Sequence, residues 1–117
     1  MLDSKIAQPD RKQFTAVRNP KDWRNPFILL NTDGTLRVTA QGTYRHKVDA
    51  KELKDLLLNL PVSAWPFGRV ISIQPSSLRS TDEEALAEED RLLKRAWSIV
   101  RDVVRELKVE MNVWPSA

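Results

Sequence analysis

The stretch from Ser80 to Trp114 constrains this chain most, because it reads as one long amphipathic helix running into a short strand. Leu92, Leu93, Ala96, Trp97, Ile99, Val100, Val103, Val104 and Leu107 recur at helical spacing and, at about 100° per residue, cover one broad arc. The opposite arc holds Lys94, Arg95, Ser98, Arg101, Asp102, Arg105 and Lys108. A helix so divided lies on a core. Ser80 stands three residues before Glu83, and Thr81 three before Glu84, so two overlapping capping boxes are expected at its start. Acids crowd the first turns and bases dominate the rest, the order that the helix dipole favours. After Leu107 the period changes. Val109, Met111 and Val113 alternate with Lys108, Glu110 and Asn112, the pattern of a half-buried strand, and Pro115 ends it.

Upstream, FILLNTDGTLRVTA places two apolar runs around Asp33-Gly34 and predicts a hairpin closed by a type I′ turn. With Thr32 facing Thr35, Leu29 faces Val38 and Phe27 faces Ala40 on one side, while Ile28 and Leu30 oppose Thr39 and Arg37 on the other. The first strand is then apolar on both sides and needs a second cover, from the N-terminal segment or from a second subunit. Gln41-Gly42 predicts a turn, and Thr43 to Val48 a short extended continuation carrying Tyr44, His46 and Val48 on one side. Asp49 to Leu60 reads as a second helix. Asp49 and Glu52 form an acidic variant of the capping box, Leu53, Leu56, Leu57 and Leu60 supply the apolar stripe, and Asn59 and Pro61 end it. Arg69 to Gln74, bounded by Gly68 and Pro75, predicts a strand with Ile71 and Ile73 on one face and Val70 and Ser72 on the other. Just before it, Trp65-Pro66-Phe67-Gly68 sets two large aromatics in a proline-fixed loop.

Residues 1–25 are polar, lack a sustained period and contain RNPKDWRNP, whose prolines turn Asn19 and Asn25 away from helix. They are expected as an extended N-terminal arm pinned by Phe14, Val17 or Trp23, with residues 26–117 forming a single α+β domain. A length of 117 residues with 41% hydrophobic content suits one such domain. The element order ββαβαβ, with one apolar side on each helix, predicts a two-layer sandwich: a four-stranded mixed sheet with both helices on one face.

That order resembles the soluble periplasmic domain of the TolR and ExbD family, carried here by FILLNTDGTLRVT, QGTYRHKVDAKELKDLL and RVISI. The resemblance implies a dimerising, partner-binding domain and transfers no functional residue. The chain departs from the family in lacking its N-terminal membrane helix and the acidic residue that couples that helix to proton flow. MLDSKIAQPDRKQF has no long apolar run, so no signal peptide, membrane insertion or exported location is expected, and the cytoplasm is the default. Without cysteine there is no disulfide framework and no thiolate chemistry.

Catalysis is the class least favoured. Three glycines make no phosphate loop, no GxSxG or HExxH occurs, and His46 is the lone histidine, between Arg45 and Lys47. No catalytic residue, metal or cofactor is expected; an enzyme with its site at a subunit interface is the minor alternative. The leading expectation is a small interaction or assembly domain, a homodimer that also meets an unidentified protein. It would use a strand edge or the wide arc of the long helix, through Leu92, Ile99 and Val103, with Trp65 and Phe67 on the loop. The alternative is nucleic-acid binding. Net charge is +3, but residues 1–50 carry nine Lys or Arg against five acids. The candidates there are Arg11, Lys12, Arg18, Lys21, Arg24, Arg37, Arg45 and Lys47.

Overall fold

A computed structural model describes residues 2–41 and 43–116; Gly42, half of the expected Gln41-Gly42 turn, lies outside the described residues. The helices are α1 (Arg11–Thr15), α2 (Leu53–Leu58) and α3 (Glu83–Glu106), and the strands β1 (Phe27–Leu30), β2 (Leu36–Ala40), β3 (Thr43–Val48), β4 (Val70–Pro75) and β5 (Glu110–Val113). The chain is α+β with a mixed sheet, as its pattern implies. The sheet, however, has five strands rather than four, in the order β3-β2-β1-β4-β5, antiparallel across β3, β2 and β1 and parallel across β1, β4 and β5. The extra strand is Thr43–Val48. It is an edge strand with Tyr44 to Lys47 all exposed, so the in-out alternation that marks a strand in sequence never develops there.

The β1–β2 register is one residue away from that of a type I′ turn. Ile28 pairs with Val38 and Leu30 with Leu36, all four buried, while Leu29 pairs with Arg37 and Phe27 with Thr39. The Asn31 amide bonds the Thr35 carbonyl (2.8 Å), and the Gly34 amide bonds the Asn31 carbonyl (3.0 Å). Gly34 alone in the loop takes positive φ, +84°, so the connection is a three-residue loop with a bulge at glycine. Asp33 secures it by accepting from the Thr35 backbone N–H at 2.9 Å and from the Thr35 hydroxyl at 2.5 Å. Those bonds, the hydroxyl's foremost, and the nearby Lys47 hold the Asp33 carboxyl below its ordinary value. The one-residue slip sends every side chain of β1 to the face opposite its expected one.

The main core lies on the face of Ile28, Leu30, Leu36, Val38, Ile71 and Ile73, against Leu53 and Leu57 of α2 and Ala96, Val100 and Val104 of α3. The helix α3 starts later than its two capping boxes suggest. Asp82 is the cap, accepting from the Ala85 N–H at 3.1 Å. Ser80 and Arg79 turn to Glu89 instead, both donating backbone N–H groups to its carboxylate. At 24 residues the helix is about 36 Å long, and its first buried residue is Ala96, so its acidic first turns extend beyond the core. Lys108 ends it without a glycine, at φ 58°, where Val109 donates to the Val104 carbonyl at 2.8 Å and Lys108 to Arg105 at 3.2 Å. Among the described residues no helix is long and apolar enough to cross a membrane.

Residues 2–25 do not form an extended arm. Leu2 and Ile6 enter the main core, and Phe14 and Trp23 join Phe67 and Val70 in a second cluster on the opposite face of the sheet. Asp10 caps α1 and Asn19 caps a turn over Pro20–Asp22, each through its side-chain oxygen. The segment folds back because its few apolar residues, aperiodic in sequence, reach two buried clusters on opposite faces of the sheet.

A candidate ligand groove on the open face of the sheet

The second cluster covers only the β4 side of its face. Trp23 meets Phe14 and Phe67 in edge-to-face contacts at 6.1 and 5.1 Å, and its Nε1 donates to the Pro26 carbonyl at 3.1 Å. Toward β2 and β3 the cover stops. There a groove of about 900 Å³ opens, at the upper end of the range for ligand pockets.

Register builds its floor. Leu29 stands beside Arg37, and Phe27 beside Thr39, which in turn stands beside Tyr44. One wall is the folded N-terminal segment, with Pro20, Lys21, Trp23, Arg24 and Asn25; Ser63 and Pro66 contribute from the loop before β4. Asn25 positions this wall. Its carboxamide is 2% exposed and donates to the carbonyls of Gly68 (2.7 Å) and Val70 (2.8 Å) while accepting from the Phe67 N–H (2.7 Å).

The electrostatics are one-signed. Lys21, Arg24 and Arg37 line the groove and no acidic residue does. Among the described residues none of the three takes part in an ion pair, whereas Arg11, Lys47, Lys54, Arg91, Lys94 and Lys108 are paired. Tyr44 is 52% exposed, and its ring meets that of the exposed His46 edge to face at 4.6 Å. The groove thus joins an apolar, partly aromatic floor to unneutralised positive charge, which suits an anion with flat apolar groups.

The expected site residues divide. Lys21, Arg24 and Arg37 come together in this groove, whereas on the β3 edge Arg45 pairs with Val38 and so leaves on the opposite face, and Lys47 is ion-paired with Asp33. Arg18 and Lys12 are exposed but do not line it. Arg11 sits at the far side of the sheet, ion-paired with Glu110 of β5 and stacked 5.7 Å from the Phe14 ring centre. Trp65 and Phe67 are each 4% exposed and belong to the two cores of the chain itself, so neither offers a ring to a partner. Ile99 and Val103 are half-buried against the main core, and Leu92 packs over Gly34, where an added Cβ would stand 3.3 Å from its own. The hairpin loop and α2 therefore cover part of the wide arc. Phe27, Leu29, Thr39 and Tyr44 enter the site unforeseen. An exposed tyrosine in a basic strand was the one local signal available for them.

Among the described residues no three His, Asp or Glu side chains converge as a metal site requires. No protein-family model, curated protein or solved structure matches the chain.

Proposed function

We propose that this chain is a non-catalytic binding domain, built as a two-layer α+β sandwich, that captures an anionic partner bearing flat apolar groups in the groove on its open sheet face. The observation that carries the reading is the set Lys21, Arg24 and Arg37, outside any ion pair among the described residues and with no acid lining the groove, around a floor of Phe27, Leu29 and Tyr44. Unneutralised charge in a concave, low-dielectric setting attracts counter-charge more strongly than the same charge on an open surface. Anilinonaphthalene sulfonate, a planar apolar anion, tests it. The folded protein is expected to bind one dye saturably with a rise in fluorescence, and Arg37→Glu to weaken binding about tenfold or more while circular dichroism stays unchanged. Non-saturable binding, or binding that ignores the charge reversal, contradicts the reading.

Self-association is a second reading, favoured by one observation. The two sheet edges differ: β3 carries Arg45, His46 and Lys47 and an irregular register between Leu36 and Val38, both devices that discourage pairing, whereas β5 has one charge, Glu110, paired with Arg11, a regular register, and a Val113 that is 54% exposed. The resemblance to TolR and ExbD domains read from the sequence also implies a dimer. Light scattering is expected to give the mass of a dimer at both low and high salt, and Val113→Lys the mass of a monomer. A monomer from the unchanged chain at all concentrations tested removes this reading.

A further inference from the structure

We propose that the occupant of the groove is single-stranded nucleic acid, its bases laid on Tyr44 and the apolar floor and its phosphates on Lys21, Arg24 and Arg37. The inference rests on the groove reading above and adds the chemical class of the partner. Four features lead to it. The cations are not gathered into one cradle, as a single phosphate group would need, but stand on separate elements: Lys21 and Arg24 on the N-terminal wall and Arg37 on the strand β2. Such a spread matches a repeating anion that crosses the sheet. Tyr44 is exposed on the groove side and meets the His46 ring edge to face, an aromatic surface that any base can stack upon. The floor lies beside the N-terminal wall in a groove of about 900 Å³, which gives unstacked bases apolar surface to lie on. Finally, α3 carries Asp102 and Glu106 among Arg101 and Arg105 on its exposed side, so no uniformly basic helix is present to enter a major groove.

The test uses fluorescence anisotropy with a labelled oligothymidylate of roughly ten nucleotides, its duplex form, and polyglutamate as competitor. The full chain is expected to bind the single strand in preference to the duplex. With about 0.7 of a counterion released per phosphate, three contacts make binding roughly 20-fold weaker between about 50 and 200 mM salt. Tyr44→Ala is expected to weaken binding about tenfold, with Tyr44→Trp restoring it, because lost stacking costs that much per base. Arg101→Ala on the far side of α3 is expected to leave it unchanged. Saturable dye binding without oligonucleotide binding overturns the nucleic-acid assignment while leaving the groove reading intact, and displacement of the dye by polyglutamate would identify an acidic peptide in its place. Oligonucleotide binding that ignores Tyr44→Ala and Arg37→Glu overturns it as well. Absence of both dye and oligonucleotide binding overturns the groove reading itself.

Discussion

Replacement of Asn25 by alanine is expected to destabilise the fold by about 3 kcal/mol, lowering the melting temperature by roughly 10–15 °C. The carboxamide lies where β1 has not yet begun, and its three bonds to Phe67, Gly68 and Val70 stand in for the ladder that the next residues continue. Gly68 keeps a second partner, since the Val70 N–H also donates to its carbonyl at 2.8 Å. The Phe67 N–H and the Val70 carbonyl would be orphaned in a buried site, at about 1–3 kcal/mol each. Asn25→Asp separates hydrogen bonding from volume. It keeps an acceptor for Phe67 but turns a carboxylate oxygen toward two carbonyls, so it is expected to be at least as harmful at neutral pH and less so once the carboxyl is protonated. Denaturant melts followed by near-UV circular dichroism measure both. A loss under about 1 kcal/mol for Asn25→Ala would show that the clamp contributes little.

Gly68→Ala is expected to cost about as much for a different reason, and to release the N-terminus. Gly68 has φ +84°, and a Cβ there would stand 2.3 Å from the Gln8 carbonyl oxygen and 2.8 Å from its carbon. Both neighbours are backbone, so nothing flexible can yield. The crossing is fixed on either side by bonds from the Arg69 N–H to the Ala7 carbonyl (3.0 Å) and from the Asp10 N–H to the Phe67 carbonyl (2.9 Å). The left-handed conformation adds about 1 kcal/mol of strain for alanine, and displacement of residues 2–10 withdraws Leu2 and Ile6 from the core, for a total of about 3–5 kcal/mol. Limited trypsin digestion is expected to cut at Lys5, Arg11 or Lys12 in the variant well before the parent chain. Equal melting temperatures and equal cleavage would show that the segment is not held at this crossing.

Both variants also bear on the groove, since they loosen the wall that carries Lys21 and Arg24. The fold thereby links to function through a segment whose sequence gives little warning of its part. The α3 helix was legible because its apolar residues follow a period of 3.6, and the β4 strand because a short β-rich run, buried on both faces, lies between Gly68 and Pro75. The hairpin was legible as a hairpin but not in register, because one residue of loop length depends on the φ of Gly34 and inverts the faces of β1. The N-terminal fold was not legible, because Leu2, Ile6, Phe14 and Trp23 have no common spacing and their partners lie far along the chain. The Asn25 clamp reaches residues 42 to 45 positions away. The basic residues of the site could be named from charge alone. Their convergence on Tyr44 and Phe27 depends on strand order, which no local pattern encodes.

The measurement that bears most directly on the groove is a titration of the isotope-labelled protein with anilinonaphthalene sulfonate, followed through backbone amide shifts. The account predicts saturating shifts at Trp23, Phe27, Thr39 and Tyr44, with Arg101, Asp102 and Arg105 on the exposed side of α3 unmoved. Shifts centred on Leu92 to Val103 or on β5, with the groove silent, would contradict it.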